Sequence, residues 1–222
     1  MKNSNRIFLN LLTLKEIEEL FARFKKNNPL PKGELNFSSP FTLLVAVVLS
    51  AQATDKSVNN VTEKLFNIAD TPEKMINLGE YKIMETIKKI GLFRTKSKNV
   101  YNLSRQLVCR FDSLVPNNLN DLMSLPGVGR KTANVVLNLA FGHKTLAVDT
   151  HVFRVSLRSG LARGANVIDV EESLVSRVPK KFMKHAHHWL ILHGRYVCKS
   201  RKPLCIDCII NDICLYKKNS SK

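Results

Sequence analysis

Leu125-Pro126-Gly127-Val128-Gly129-Arg130-Lys131 lies between two short helical patterns and reads as a helix-hairpin-helix over about residues 119–138. Two glycines let backbone N–H groups approach a phosphate, Val128 plugs the turn into the core, and the following helix adds its positive end. Such a turn holds a nucleic-acid phosphate without reading any base. The alternative is an ordinary tight turn between helices; the pattern favours the phosphate reading, and the basic charge of the chain adds to it. Lys131 is most simply one more cation facing phosphate. It is also a candidate nucleophile, because partial desolvation beside a helix N-terminus disfavours the ammonium and leaves an amine able to attack an electrophilic carbon. Asp149, in Ala147-Val148-Asp149-Thr150-His151, falls at a loop-to-helix boundary where an N-cap accounts for it. A capping carboxylate stays ionised, so it can also turn one oxygen towards a reacting group.

The cysteines carry the strongest spacing. Cys198, Cys205, Cys208 and Cys214 form Cys-x6-Cys-x2-Cys-x5-Cys, while the fifth, Cys109, stands apart inside a predicted helix. Clustered thiols of this kind point to a metal centre in a reducing compartment rather than to a disulfide framework. Four thiolates suffice for a structural zinc or for a 4Fe-4S cluster. Zinc sites usually pair two Cys-x2-Cys knuckles and only one stands here, so the spacing tilts slightly to iron-sulfur and leaves both open. Lys199, Arg201 and Lys202, stiffened by Pro203, would make a metal-pinned loop suited to a phosphate backbone.

Helices must position these groups. Apolar residues recur at intervals of three and four over most of the 222 residues, which predicts an all-α protein with enough chain for one large or two modest domains. Thr13-x-x-Glu16 is a capping box, with Leu12 and Ile17 placed as a hydrophobic staple. Ser39-Pro40 opens a run from Phe41 that is apolar on every face and therefore buried. Further helices are predicted at about 55–67, 72–78, 81–89, 95–111, 119–124, 130–141, 150–160, 169–178 and 182–193. With 35 Lys and Arg against 18 Asp and Glu, the net charge of +17 points to a polyanion, nucleic acid ahead of an anionic membrane surface. The longest apolar run, Phe41 to Ala51, is too short to span a bilayer, and the first ten residues lack a signal-like apolar stretch. The expectation is a soluble, intracellular protein.

In combination, Leu49-Ser50-Ala51-Gln52-Ala53-Thr54-Asp55, the hairpin, Ala147 to His151, His187 to Arg195 and the four-cysteine loop closely resemble the bacterial endonuclease III family, over about residues 25–218. The resemblance implies a DNA glycosylase that removes oxidised pyrimidines from duplex DNA and cleaves abasic strands by β-elimination. It implies two helical domains flanking a DNA-binding cleft: a six-helix barrel at 33–143, and an iron-sulfur domain from 1–32 with 144–222, whose cluster loop is 198–214. Lys131 matches the nucleophile and Asp149 the catalytic carboxylate. Gln52 matches the residue that fills the gap left by the extruded base, and Leu92 the wedge into the opposite strand. Gly127, Val128, Gly129, Arg130, Lys199, Arg201 and Lys202 are the expected DNA contacts. Ser50, Asp55 and His151 line or support the pocket, unless Ser50 and Asp55 merely cap helices and His151 is an ordinary first-turn histidine. Cys198, Cys205, Cys208 and Cys214 would hold one 4Fe-4S cluster. The partner is double-stranded DNA carrying damaged pyrimidines or abasic sites, met by a monomer in the cytoplasm of a bacterium, associated with its nucleoid.

Two features depart from that pattern: an N-terminal extension with its own capping box, and a loop reading Gly91-Leu92-Phe93-Arg94-Thr95-Lys96, which puts the lesion preference in doubt. Competing readings are a noncatalytic DNA-binding protein with a metal cluster and an adenine-specific mismatch glycosylase. The latter group lacks a lysine at the position of Lys131 and carries a further C-terminal domain, whereas eight residues follow Cys214 here.

Overall fold

The computed structural model describes residues 10–31 and 33–216, which form eleven helices and no strand. They belong to two compact units, one of Gly33–His143 and one of Met1–Lys32 with Lys144–Lys222.

The Gly33–His143 unit is built around α2, Pro40–Leu49, in which all nine residues from Phe41 to Leu49 are buried. A helix apolar on all sides must be enclosed by others. Its start is fixed locally: Ser39 Oγ accepts from Thr42 N at 3.2 Å, Ser39 N donates to Thr42 Oγ1 at 2.8 Å, and Pro40 takes the first helical position. Around α2 come α3 (Asp55–Ile68), α4 (Pro72–Leu78), α5 (Glu80–Ile87), α6 (Phe93–Arg110), α7 (Leu119–Ser124) and α8 (Arg130–Phe141). Of these, α3, α6 and α8 pack directly on α2. Only Gly79, at φ +81, separates α4 from α5, so the unit has seven helical segments.

In the other unit α1 (Leu14–Asn27) joins α9 (Thr150–Ser159), α10 (Val167–Arg177) and α11 (Met183–Tyr196). Both bonds of the Thr13–Glu16 capping box form, and Leu12 and Ile17, at 2% and 0% exposure, meet in the same core. That staple sets the angle at which the chain enters α1. Phe21 stacks on Phe182 at 5.7 Å, Trp189 packs beside both, and Trp189 Nε1 donates to Asn28 O at 2.8 Å. Arg23 grips Asp212 with both terminal guanidinium nitrogens, at 2.6 and 3.0 Å, tying α1 to the segment that follows Cys208.

Several helix boundaries differ from the sequence reading, among them the end of α5, which comes at Ile87. Helix α6 begins at Phe93; α10 begins at Val167, because Asn166 and Asp169 form a capping box; α11 runs on to Tyr196 through Gly194. No helix among the described residues is long and apolar enough to cross a membrane.

Candidate active site and thiol-lined centre

Two successive turns make the hairpin: Leu125 N donates to Leu122 O and Val128 N to Leu125 O, each at 3.1 Å. Val128 is 6% exposed and lies in the core. Its side chain plugs the turn into the core, as the sequence predicts. The two glycines differ. Gly127 has φ +78, and a Cβ there would come within 2.8 Å of the Asn99 side chain on α6; a Cβ on Gly129 would meet nothing within 4 Å. The fold thus demands glycine at 127 and leaves open space at 129. Helix α8 starts at Arg130 without a side-chain cap, the condition under which an anion can take the cap's place. Lys131 is the second residue of α8 and is exposed.

Gln52 (φ 52) and Leu92 (φ 58) both hold the left-handed backbone conformation. For residues other than glycine this costs roughly 1–3 kcal/mol each, and such strain collects at functional sites. The two loops adjoin, since a Cβ on Gly91 would stand 3.8 Å from Gln52 O. Both side chains are exposed, Leu92 at 55%. Ser50 ends α2 and its hydroxyl donates to Val47 O at 2.8 Å. Asp55 is not the cap of α3; Thr54 is, its Oγ1 accepting from Ser57 N at 3.2 Å.

In the other unit Asp149 N-caps α9, Oδ1 accepting from His151 N and Val152 N, both at 2.8 Å. His187 Nδ1 donates to Ala147 O at 2.8 Å and so fixes the segment leading into the cap. Arg154 gathers several groups: Nε donates to Cys198 O at 3.1 Å, Nη2 to Gly194 O at 2.8 Å, and Nη2 to His151 Nδ1 at 3.3 Å. Because arginine only donates, Nδ1 of His151 accepts and its ring hydrogen sits on Nε2. Sequence reasoning missed Arg154; its spacing of three from His151 on a helix was the available signal. Gly194 lets α11 press on α9, since a Cβ there would stand 2.8 Å from His151 Cβ and 3.2 Å from His151 O. Gly194→Ala is expected to lower stability by about 1–3 kcal/mol through overpacking, read by chemical denaturation. An unchanged midpoint would contradict the contact.

Cys198, Cys205, Cys208 and Cys214 line one recess with Val155 and Ile210, and all are free thiols. Burial pushes the Cys208 thiol up to about 11, and the other three cysteines add to the rise. Cys208 as a thiolate therefore needs a cation beside it. Among the described residues, no three His, Cys, Asp or Glu side chains stand close enough together to hold a metal ion as placed. The donor chemistry fits one all the same: four soft thiols facing one apolar recess. Arg158 braces the rim, Nη1 donating to Lys199 O at 2.8 Å and approaching Cys198 Sγ at 3.8 Å, Nη2 donating to Ser200 O at 3.0 Å. Leu204 N closes the loop on Val197 O at 3.0 Å, leaving Lys199, Arg201 and Lys202 exposed. Cys109 lies exposed on α6 in the other unit.

Residues 45–180 match the family model described as HhH-GPD superfamily base excision DNA repair protein. The chain belongs to the HhH-GPD superfamily. Endonuclease III of Rickettsia felis is 56% identical over 200 residues, covering 90% of this chain and 94% of that protein. Endonuclease III of Escherichia coli K12 is 54% identical over 200 residues, covering 90% and 95%. A solved structure of a trapped endonuclease III–DNA covalent intermediate, an estranged-adenine complex, matches with a TM-score of 0.87 at 41% identity, covering 96% of this chain and all of that one. This HhH-GPD member is a base excision DNA glycosylase and AP lyase, and it binds DNA.

Proposed function

We infer that Lys131 and Asp149 carry the chemistry of this oxidised-pyrimidine DNA glycosylase and AP lyase. The observation behind this reading is the pair's place in the fold: Lys131 directly follows the hairpin on the uncapped start of α8, and Asp149 caps α9. The Lys131 amine attacks C1′ of the damaged nucleoside as the C1′–base bond breaks and the base leaves with that electron pair. The sugar ring opens to a Schiff base on Nζ, and loss of a C2′ proton expels the 3′ phosphate. Asp149 takes the proton that the lysine sheds and balances the positive charge developing on the sugar. Gln52 and Leu92, held in strained conformations on adjoining loops, support extrusion of the nucleotide, one filling the gap and the other wedging the opposite strand. Ser50, Asp55 and His151 support the pocket. The decisive assay is incision of a duplex holding one thymine glycol or one abasic site. A noncatalytic DNA-binding protein leaves both uncut.

Cys198, Cys205, Cys208 and Cys214 would hold a 4Fe-4S cluster, which when bound supplies a cross-link that stiffens the basic loop. The purified protein is expected to be brown, with about four irons and four sulfides per chain. Stoichiometric zinc from iron-replete cells would contradict this. Gly127, Gly129 and Arg130 on the hairpin, with Lys199, Arg201 and Lys202 on the loop, contact phosphates of the duplex. For roughly five to eight phosphates neutralised, log K against log salt should slope at about −4 to −7, and Lys202→Ala should flatten the slope by about one on damaged and undamaged duplex alike. Salt-independent affinity would overturn the backbone-binding account.

A further inference from the structure

His193 is a buried imidazole with no part in the reaction described above. It lies on α11 at 7% exposure, with Nε2 3.6 Å from Cys208 Sγ. Its ring packs on Phe24 of α1, centroids 5.1 Å apart, and its carbonyl accepts from Val197 N at 3.0 Å and Cys198 N at 2.7 Å. The residue is thus fixed by α1 on one side and by the backbone entering the first cysteine on the other. His193 and Val197 line the thiol recess and also a separate cavity of about 200 Å³ that Tyr196 and Asp207 border. A cavity of that size, with Asn27, Asn28 and Asp207 among its lining residues, has room for several waters. The imidazole stands between that cavity and the sulfurs.

We propose that His193 is a positioning residue for the metal centre: its Nε2–H donates to the sulfur of Cys208, and its ring closes the recess against water in the neighbouring cavity. The proposal rests on the reading of the four cysteines as iron-sulfur ligands. A metal-bound thiolate has given up its proton and can only accept, so the hydrogen in this contact comes from the imidazole. Both the imidazolium and the Nε2-protonated neutral ring supply it. A donor held this way directs a sulfur lone pair and withdraws charge from it, the usual task of groups just outside a metal's ligands.

The test compares wild type, His193→Gln and His193→Phe, each purified without oxygen and counted for iron and sulfide, with iron release to a chelator followed by loss of visible absorbance. Glutamine keeps an N–H at about the reach of Nε2; phenylalanine keeps the ring against Phe24 and has no donor. Release from His193→Phe should be at least about tenfold faster than from wild type, with His193→Gln within about threefold of wild type. Iron-bearing wild type with equal release from His193→Phe overturns this inference alone. A wild type holding zinc or no metal overturns the iron-sulfur reading and this inference with it. Should His193→Phe not accumulate, histidine-labelled wild type gives the answer by nitrogen-15 NMR: one ring N–H resonance, missing from His193→Gln, should show the shift and fast relaxation of a proton close to a paramagnetic cluster. Absence of such a resonance overturns the proposal.

Discussion

Lys131→Gln should abolish strand cleavage while leaving binding to lesion DNA nearly unchanged. The two roles open to this lysine forecast opposite results. A lysine that only contacts phosphate loses one ionic contact on substitution, so binding weakens modestly and turnover at saturating DNA survives. A nucleophilic lysine takes the covalent route with it, and the rate falls by several orders of magnitude. Glutamine suits this comparison, being neutral and close in length, and it sits comfortably in the first turn of α8, where position 131 is exposed and outside the core. Loss of activity therefore reports chemistry rather than misfolding. Single-turnover incision of an abasic duplex, alongside a binding isotherm on the same duplex, separates the two outcomes.

Asp149→Asn should lower single-turnover glycosylase activity by about 10²–10⁴-fold with little change in stability. In the proposed mechanism Asp149 both caps α9 and takes a proton, and this substitution removes only the second role. Its Oδ1 caps α9 by accepting from His151 N and Val152 N, and asparagine caps a helix as well as aspartate does. The carboxylate charge, which the proposed mechanism uses to take the lysine's proton, is lost. Asp149→Ala removes both, adding about 1 kcal/mol of destabilisation to the same kinetic defect. Parallel melting curves and single-turnover rates for the two variants check the separation. If asparagine supports the wild-type rate, Asp149 is a cap and nothing more.

Local signals in the sequence account for much of the fold. Ser39-Pro40 followed by ten residues nearly all apolar could only be a buried helix, and α2 is the centre of its unit. The Thr13 box with Leu12 and Ile17 likewise specified the start of α1 through contacts a few residues apart. The placement of Lys131 and Asp149 at helix starts was legible for the same reason, since a glycine turn before Arg130 and a capping carboxylate before Thr150 are both local helix-start signals. What escaped depends on tertiary partners. Arg154 and Arg158 draw no notice on their helix, and His193, although inside the His187–Arg195 motif, has no role assigned until α9 and α11 bring all three against the cysteine loop. The unequal demands on Gly127 and Gly129 also escaped, because Asn99 sets them from α6. Lys96 belongs to the loop whose charges depart from the family pattern, and nothing local shows that it is 3% exposed, where desolvation lowers its pKa.

The central claim is that Lys131 forms a covalent bond with the sugar of the damaged nucleotide. Borohydride reduces a Schiff base to a stable amine, so trapping on thymine-glycol and abasic duplexes, followed by peptide mapping, reads that bond directly. The adduct should map to Lys131 in wild type, vanish in Lys131→Gln, and persist at reduced yield in Asp149→Asn, where the amine survives. An adduct on the N-terminal amine or on another lysine, formed at an undiminished rate in Lys131→Gln, would contradict the account.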